Sequence, residues 1–484
     1  MLFFRLFRQI HKVLGLLLSF LFLAWFLSGV VMIYHGFPRV NQQERIEKLS
    51  VLTALPPLDS LWQHLPAGTR ANGLSVDMLL DRPVFHLRAK GAAADWYADS
   101  LHAVGKPDFN ACARIAVQLA GNSIYTADTL HALDQWIPFG YLRKEFPIYK
   151  FSFQDARKQQ IYVSSQTGNV LQWTDRPARI WAYLGAIPHW VYFTGLRQHQ
   201  PVWFNFMVWA AGMGAVMCFT GLWIGTVILW RNRRKGLRSP YKKRWLRWHH
   251  VTGMVFGIFA LTFVFSGMMS MVDLPDWMKK KSEANLPPSP RGRQGAMLAP
   301  ENYVLDYRLL VDSLPGVKRI EWQAFAGHPY YAVHTADGRK NIDASLSGAI
   351  RPFCLTEAIV RKYLGQIHGK DAVYTLTLQT AGELPKGMPS LPVYKAELDD
   401  NLHTCYYFHP QTLSYRRTDD NRRLKSVLYR GLHCLDFKCL TDRPALWNIL
   451  MYTLLAGGIF LSLTGVVLTL QWLKRVIKSL FTRH

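Results

Sequence analysis

A histidine-led apolar run occurs twice in this chain in one register, and that repetition limits the folds open to it. His11, Val13, Leu14 and Gly15 return as His249, Val251, Thr252 and Gly253, and both runs reach Ser-Gly (Ser28-Gly29, Ser266-Gly267) at a constant offset of 238. A second set repeats at an offset of 244: His189, Phe193, Trp203 and Thr220-Gly221 against His433, Phe437, Trp447 and Thr464-Gly465. The chain therefore reads as two copies of one unit, each with a histidine at both ends of its apolar part.

The apolar stretches Val13–Tyr34, Val202–Trp230, Val251–Met271 and Ala445–Trp472 each reach membrane-spanning length, which takes about 20 residues at roughly 1.5 Å per residue. The second and fourth are longer and are expected to tilt or to stand proud of the bilayer. The chain then divides into an N-terminus with the first span (1–35), a first external segment (36–201), a second span (202–230), a basic loop (231–250), a third span (251–271), a second external segment (272–444), a fourth span (445–472) and a tail (473–484). The first span resembles a signal peptide in its basic start. Tyr34-His35-Gly36-Phe37-Pro38 is a poor small-residue cleavage site, so a retained anchor is expected.

A net charge of +25 raises the possibility of nucleic acid as a partner. The distribution of the charge argues against it. Arg231, Arg233, Arg234, Lys235, Arg238, Lys242, Lys243, Arg244 and Arg247 lie between the second and third spans; Arg5, Arg8 and Lys12 precede the first; Lys474, Arg475, Lys478 and Arg483 follow the fourth. Four spans put these three segments on one side, and the positive-inside rule makes that side cytoplasmic and both large segments periplasmic. Part of the basic excess serves anionic lipid headgroups. The six cysteines form no CxxC. Cys434 and Cys439 lie where an oxidising compartment would preserve a disulfide, although spacing alone does not pair them; Cys218 reads as an apolar filler.

The two external segments also echo each other. Phe146-Pro147-Ile148-Tyr149-Lys150 corresponds to Leu391-Pro392-Val393-Tyr394-Lys395, and Ile161-Tyr162-Val163 to Tyr406-Tyr407-Phe408. Strands are expected over Pro83–Leu87, Tyr149–Phe153, Gln160–Val163, Pro329–His334 and Thr404–Phe408. Helices are expected over Phe109–Ala120 and Leu355–Leu364, and a loop over Ser282–Pro300. Each segment reads as a small α+β domain.

Histidines in or at the edge of a bilayer are costly without a partner and default to function. Sidedness pairs His11 with His249 at the inner end and His189 with His433 at the outer end. Two imidazoles at each end suit the axial positions of two b-type haems, and no CxxCH suggests covalent attachment. Gly15 and Gly253, one turn from His11 and His249, are expected to leave room for a flat macrocycle. Ser-Gly and Thr-Gly within the spans serve close helix packing or the same purpose. His250 is a reserve for His249, although only His249 matches His11; His35 is a reserve at the outer end, although its counterpart is Asp273. Span ends stand roughly 30 Å apart, so for electrons to pass the ligands must dip inward or the macrocycle edges must point toward one another.

At these residues the chain resembles the PepSY-associated transmembrane helix family. The resemblance rests on "HKVLG" and "WHHVTG", on the Ser-Gly centres, on "PHWVYFTG" and "LHCLDF" with their later Thr-Gly, and on the strand-like "IYVSSQTGNVL". It implies a membrane α-helical protein with four spans as two tandem repeats and two α+β PepSY-like periplasmic domains. It also implies an inner-membrane haem-dependent reductase that ligates haem through His11, His189, His249 and His433 and acts on a ferric siderophore. Some members carry a fused flavin module; this chain ends at His484, so electrons are expected from a cytoplasmic flavin reductase or the quinol pool. Two other readings stand beside this one: a regulatory or binding protein of PepSY type, and a transporter of haem or a metal chelate, against which the small number of spans speaks.

Overall fold

The computed structural model describes residues 2–53, 55–57, 71–89, 92–236, 239–281 and 299–481. Among the described residues, four helices are long and apolar enough to cross a membrane: Leu2–Met32, Gln200–Asn232, Arg244–Met271 and Pro444–Phe481. They run past the apolar windows at their basic ends. Arg5, Arg8, Lys474 and Lys478 lie on the helices, where long cationic side chains extend toward water while their stems cover apolar surface. Around the bundle, the first helix packs on the second and fourth, and the third on the second and fourth. Small residues let these backbones close up: Gly214 faces the Phe22 ring, and Gly458 faces Phe26. Phe22, Phe26, Phe263 and Leu454 fill the middle of the bundle.

The segments between the spans form three antiparallel sheets. Strands β1 (Ala71–Leu79), β2 (Arg82–Ala89) and β3 (Ala92–Tyr97) come from the first segment. So do β4 (Tyr125–Leu130), β5 (Ile148–Phe153), β6 (Gln160–Ser164) and β7 (Val170–Thr174). The second segment supplies β8 (Arg319–Phe325), β9 (His328–Thr335), β10 (Gly338–Asp343), β11 (Tyr374–Gln379), β12 (Val393–Leu398), β13 (Cys405–Phe408) and β14 (Tyr415–Thr418). Two sheets are four-stranded, β4 to β7 and β11 to β14 in chain order, each with a helix packed on its buried face. These helices, Phe109–Ala120 and Glu357–His368, begin where Asp108 and Thr356 accept backbone N–H groups as N-caps. Phe146-Pro147 and Leu391-Pro392, matched in sequence, are both cis. Of the loop expected over Ser282–Pro300, residues 282–298 lie outside the described residues.

The third sheet is shared by the two segments. Its order is β10-β9-β8-β1-β2-β3, so both segments build it, and β1 pairs with β8 from Leu74↔Trp322 to Asp77↔Arg319. A three-stranded sheet alone would expose an edge of unpaired N–H and C=O groups; joining two such sheets removes one edge from each. Trp322, Tyr307, Tyr331 and Phe85 are fully buried on one face. The turn between β8 and β9, Ala326-Gly327, has positive φ at both residues, as a two-residue hairpin of matching twist requires.

A line of charges crosses the other face at the seam. Arg319 pairs with Asp77 at 2.8 Å, Asp77 with His86 at 3.1 Å, His86 with Asp95 at 3.0 Å, and Asp95 with Arg88 at 3.0 Å. Burial alone would lower the His86 pKa, but hydrogen bonds to Asp77 and Asp95 outweigh it and hold it at about 9. Burial would raise Asp77, but His86 and Arg319 hold it below the usual carboxylate range. The raised histidine stabilises the fold fully below about pH 6.5 and loses that contribution as pH rises through about 9. The depressed Asp77 contributes above its unfolded value of 3.8 and loses its contribution as pH falls. The apparent melting temperature is therefore expected to drop between pH 6.5 and 9.5. The change corresponds to at most about 3 kcal/mol, and a His86→Gln variant should be flat across that window. Equal pH dependence in both proteins would remove His86 from the account.

Candidate functional site

The four paired histidines meet as the two ends of the bundle require, by a route across its diagonals. His11 on the first spanning helix faces His249 on the third, with ring centres 6.0 Å apart. His189 and His433, which precede the second and fourth spanning helices, face each other at 6.2 Å. Each ring is fixed through Nδ1. That atom lies 2.9 Å from the Met217 carbonyl in His11, 2.9 Å from Thr464 Oγ1 in His249, 3.2 Å from Ser28 Oγ in His189 and 3.2 Å from Ser266 Oγ in His433. His433 Nδ1 also lies 3.0 Å from the Phe263 carbonyl. The Nε2 atoms make none of these bonds.

The second end shows how the chain aims its ligands. His189 and His433 each sit in a short helix that is broken two residues later, where Val191 and Leu435 adopt left-handed φ values of 51° and 50°. A non-glycine residue there stores strain. Trp203 and Trp447 hold the two turns in the same way, donating through Nε1 to the carbonyls of Trp190 and Cys434 at 2.7 and 3.0 Å. The histidines thereby dip to the level of Ser28 and Ser266 within the bundle. Ser28 is roughly 25 Å along the helix axis from His11, at about 1.5 Å per residue.

The glycines that make room are not the ones nearest in sequence. Gly15 has nothing near its missing side chain and Gly253 meets only Leu461. Each ring instead lies on a glycine of a neighbouring helix: Gly221 beside His11, Gly465 beside His249, Gly29 beside His189 and Gly267 beside His433. These are the glycines of the Ser-Gly and Thr-Gly pairs. Their preceding hydroxyls, Ser28, Ser266 and Thr464, are the ring anchors that reading by helical periodicity missed; their constant offsets from the histidines were the available signal.

The reserve positions are engaged elsewhere. His35 stacks on Trp181 at 4.5 Å and 4°. His250 Nδ1 lies 3.0 Å from Ser239 Oγ and its Nε2 lies 3.4 Å from the Gly225 carbonyl. His199 caps the second spanning helix without a side-chain bond. Cys434 and Cys439 are free thiols.

The donor set can be tested for a metal-bearing group. Two imidazoles sharing one metal through bonds of about 2 Å stand about 6 Å apart, centre to centre, and both pairs stand at that spacing. Each pair offers two imidazole nitrogens, a donor set that suits a metal carried by a macrocycle such as porphyrin. Around His189 and His433 lies a cavity of about 390 Å³ walled by Trp25, Phe26, Met207, Val264, Met451 and Leu455 among others. That size and apolar character suit a cofactor. The buried Trp25 Nε1 at its wall has no hydrogen-bond partner among the described residues, which fits a site built to receive an acceptor group. The residues present fit haem.

A family profile described as PepSY-associated TM region matches residues 8–475. The chain belongs to this family. The match takes in all four spanning helices, all four paired histidines and the segments between. Among curated proteins none matches significantly. Membership in the PepSY-associated TM family establishes a membrane protein; the chemistry rests on the histidine pairs.

Proposed function

We propose that this chain is a membrane oxidoreductase that carries electrons through two b-type haems and reduces a ferric siderophore in the periplasm. The observation that carries this reading is the doubled histidine pair, with rings 6.0 and 6.2 Å apart and every Nδ1 anchored to the protein. Haem held at each pair would supply a one-electron Fe(III)/Fe(II) couple. His11 and His249 hold one group; His189 and His433 hold the other. Ser28, Ser266, Thr464 and the Met217 carbonyl fix the tautomer and orientation of the ligands, a role that hydrogen-bonded partners commonly play for metal-bound imidazole. Trp25, Phe26, Val264 and Met451 would give that group largely non-polar surroundings.

The basic N-terminus, loop and tail support a cytoplasmic position for the His11–His249 end, where a flavin reductase or quinol would supply electrons. The His189–His433 end and the sheets then face the periplasm of a bacterial inner membrane. One electron converts a ferric chelate to the ferrous form, which hard oxygen ligands hold less well, so iron is released. The test is anaerobic. Reduced protein, freed of excess reductant, is mixed with a ferric hydroxamate and a ferrous trap. Oxidation of the haem bands with one trapped Fe(II) per electron is expected. Bands that stay reduced before hydroxamate, catecholate and citrate chelates alike would contradict the assignment of the acceptor.

A further inference from the structure

The cavity at the His189–His433 pair has unequal walls. Tyr192 and Trp203 line one side, and behind them lies Arg197, whose side chain belongs to a residue only 9 % exposed. The guanidinium stands 4.4 Å from the ring centre of Trp203, 5.0 Å from Tyr192 and 4.8 Å from Phe139. It donates to Gln200 Oε1, its buried Nε has no partner, and no carboxylate pairs with it among the described residues. A buried cation that lacks a carboxylate is expensive. Three aromatic faces offset part of that cost, but they leave the charge uncompensated.

At the offset of 244, Thr441 stands in place of Arg197 and Asp436 in place of Tyr192. Asp436 is neutralised by Lys386 at 3.0 Å and Arg430 at 2.5 Å, with Lys386 well exposed to solvent screening. Among the described residues, the corresponding positions of the other half hold no uncompensated cation, whereas Arg197 packs on Tyr192 and Trp203, two residues that line the cavity.

We infer that Arg197 tunes the redox group held by His189 and His433: its charge disfavours the more positive, oxidised form and raises the reduction potential of that group. This rests on the di-haem reading. A raised potential there favours electron flow from the His11–His249 end. Arg197 acts through the field it sets up, as a tuning residue, and touches no reacting atom.

Redox titration of the detergent-purified full chain tests this. Arg197→Gln should keep two haems and unchanged low-spin bands, while one of the two potential waves moves negative and the other stays. Arg197→Lys should restore the wild-type value. Gln200→Glu, which places a carboxylate on the partner of Arg197 and leaves the arginine in place, should give the same negative shift and serves if the Gln variant fails to fold. Two haems with both waves unmoved in Gln200→Glu or Arg197→Gln overturn the inference and leave Arg197 a packing residue. Wild-type protein without haem overturns the reading beneath it instead.

Discussion

A His433→Ala variant is expected to hold one haem per chain where two are expected of the wild type, and a His249→Ala variant is expected to lose the other. Each pair takes one ligand from each half of the chain. The cavity beside His433 is lined mainly by aromatic and aliphatic side chains, and the rings are preset by Nδ1 contacts at 2.9–3.2 Å. Loss of one ligand thus removes a pre-oriented bond rather than a mobile one. Haem added together with imidazole should restore the second low-spin spectrum, because the alanine leaves a ring-sized space. His35→Ala and His250→Ala are controls: His35 stacks on Trp181 and His250 is bonded to Ser239, so both variants should keep two haems. Haem content by pyridine haemochrome reads all four. A control that loses haem as fully as His433→Ala would misplace the site.

The second large effect should come from a single methyl group. A Cβ added at Gly221 would lie 2.5 Å from Cε1 and 2.8 Å from Nδ1 of His11, whereas one added at Gly465 would lie 3.6 Å from His249 Cε1. The first distance forces the ring out of place; the second is ordinary contact. Alanine is a better helix former than glycine by up to about 1 kcal/mol, so propensity favours both variants equally. Overpacking at a closed site costs about 1–3 kcal/mol, which exceeds that gain at Gly221 and does not arise at Gly465. Gly221→Ala should therefore lose or perturb the haem at the His11–His249 pair, and Gly465→Ala should bind two haems with wild-type spectra. Equal behaviour of the two variants would mean that the ring spacing at His11 is not set by Gly221.

Much of the site was legible because a repeated register carries position. The offsets of 238 and 244 paired His11 with His249 and His189 with His433, and the rings meet in those pairs. Strands such as β6 and β9 and the helix Phe109–Ala120 followed from local pattern and apolar periodicity. What escaped was nonlocal. Helical periodicity nominated Gly15 and Gly253 because it sees one helix at a time; the glycines that face the rings belong to neighbouring helices. The Asp77↔Arg319 seam joins residues from separate halves of the chain, so no window of sequence could display it. The inward dip of His189 and His433 depends on a left-handed turn at Val191 and Leu435, residue types that give no turn signal.

The central claim is that both histidine pairs bind haem as bis-imidazole sites. It is tested most directly by haem quantitation and a reduced-minus-oxidised spectrum of the wild-type protein, purified in detergent from haem-replete cells. Two b-type haems per chain, both low-spin, are predicted. Haem-free protein, or a single high-spin haem, would contradict the account and return the paired histidines to a structural role.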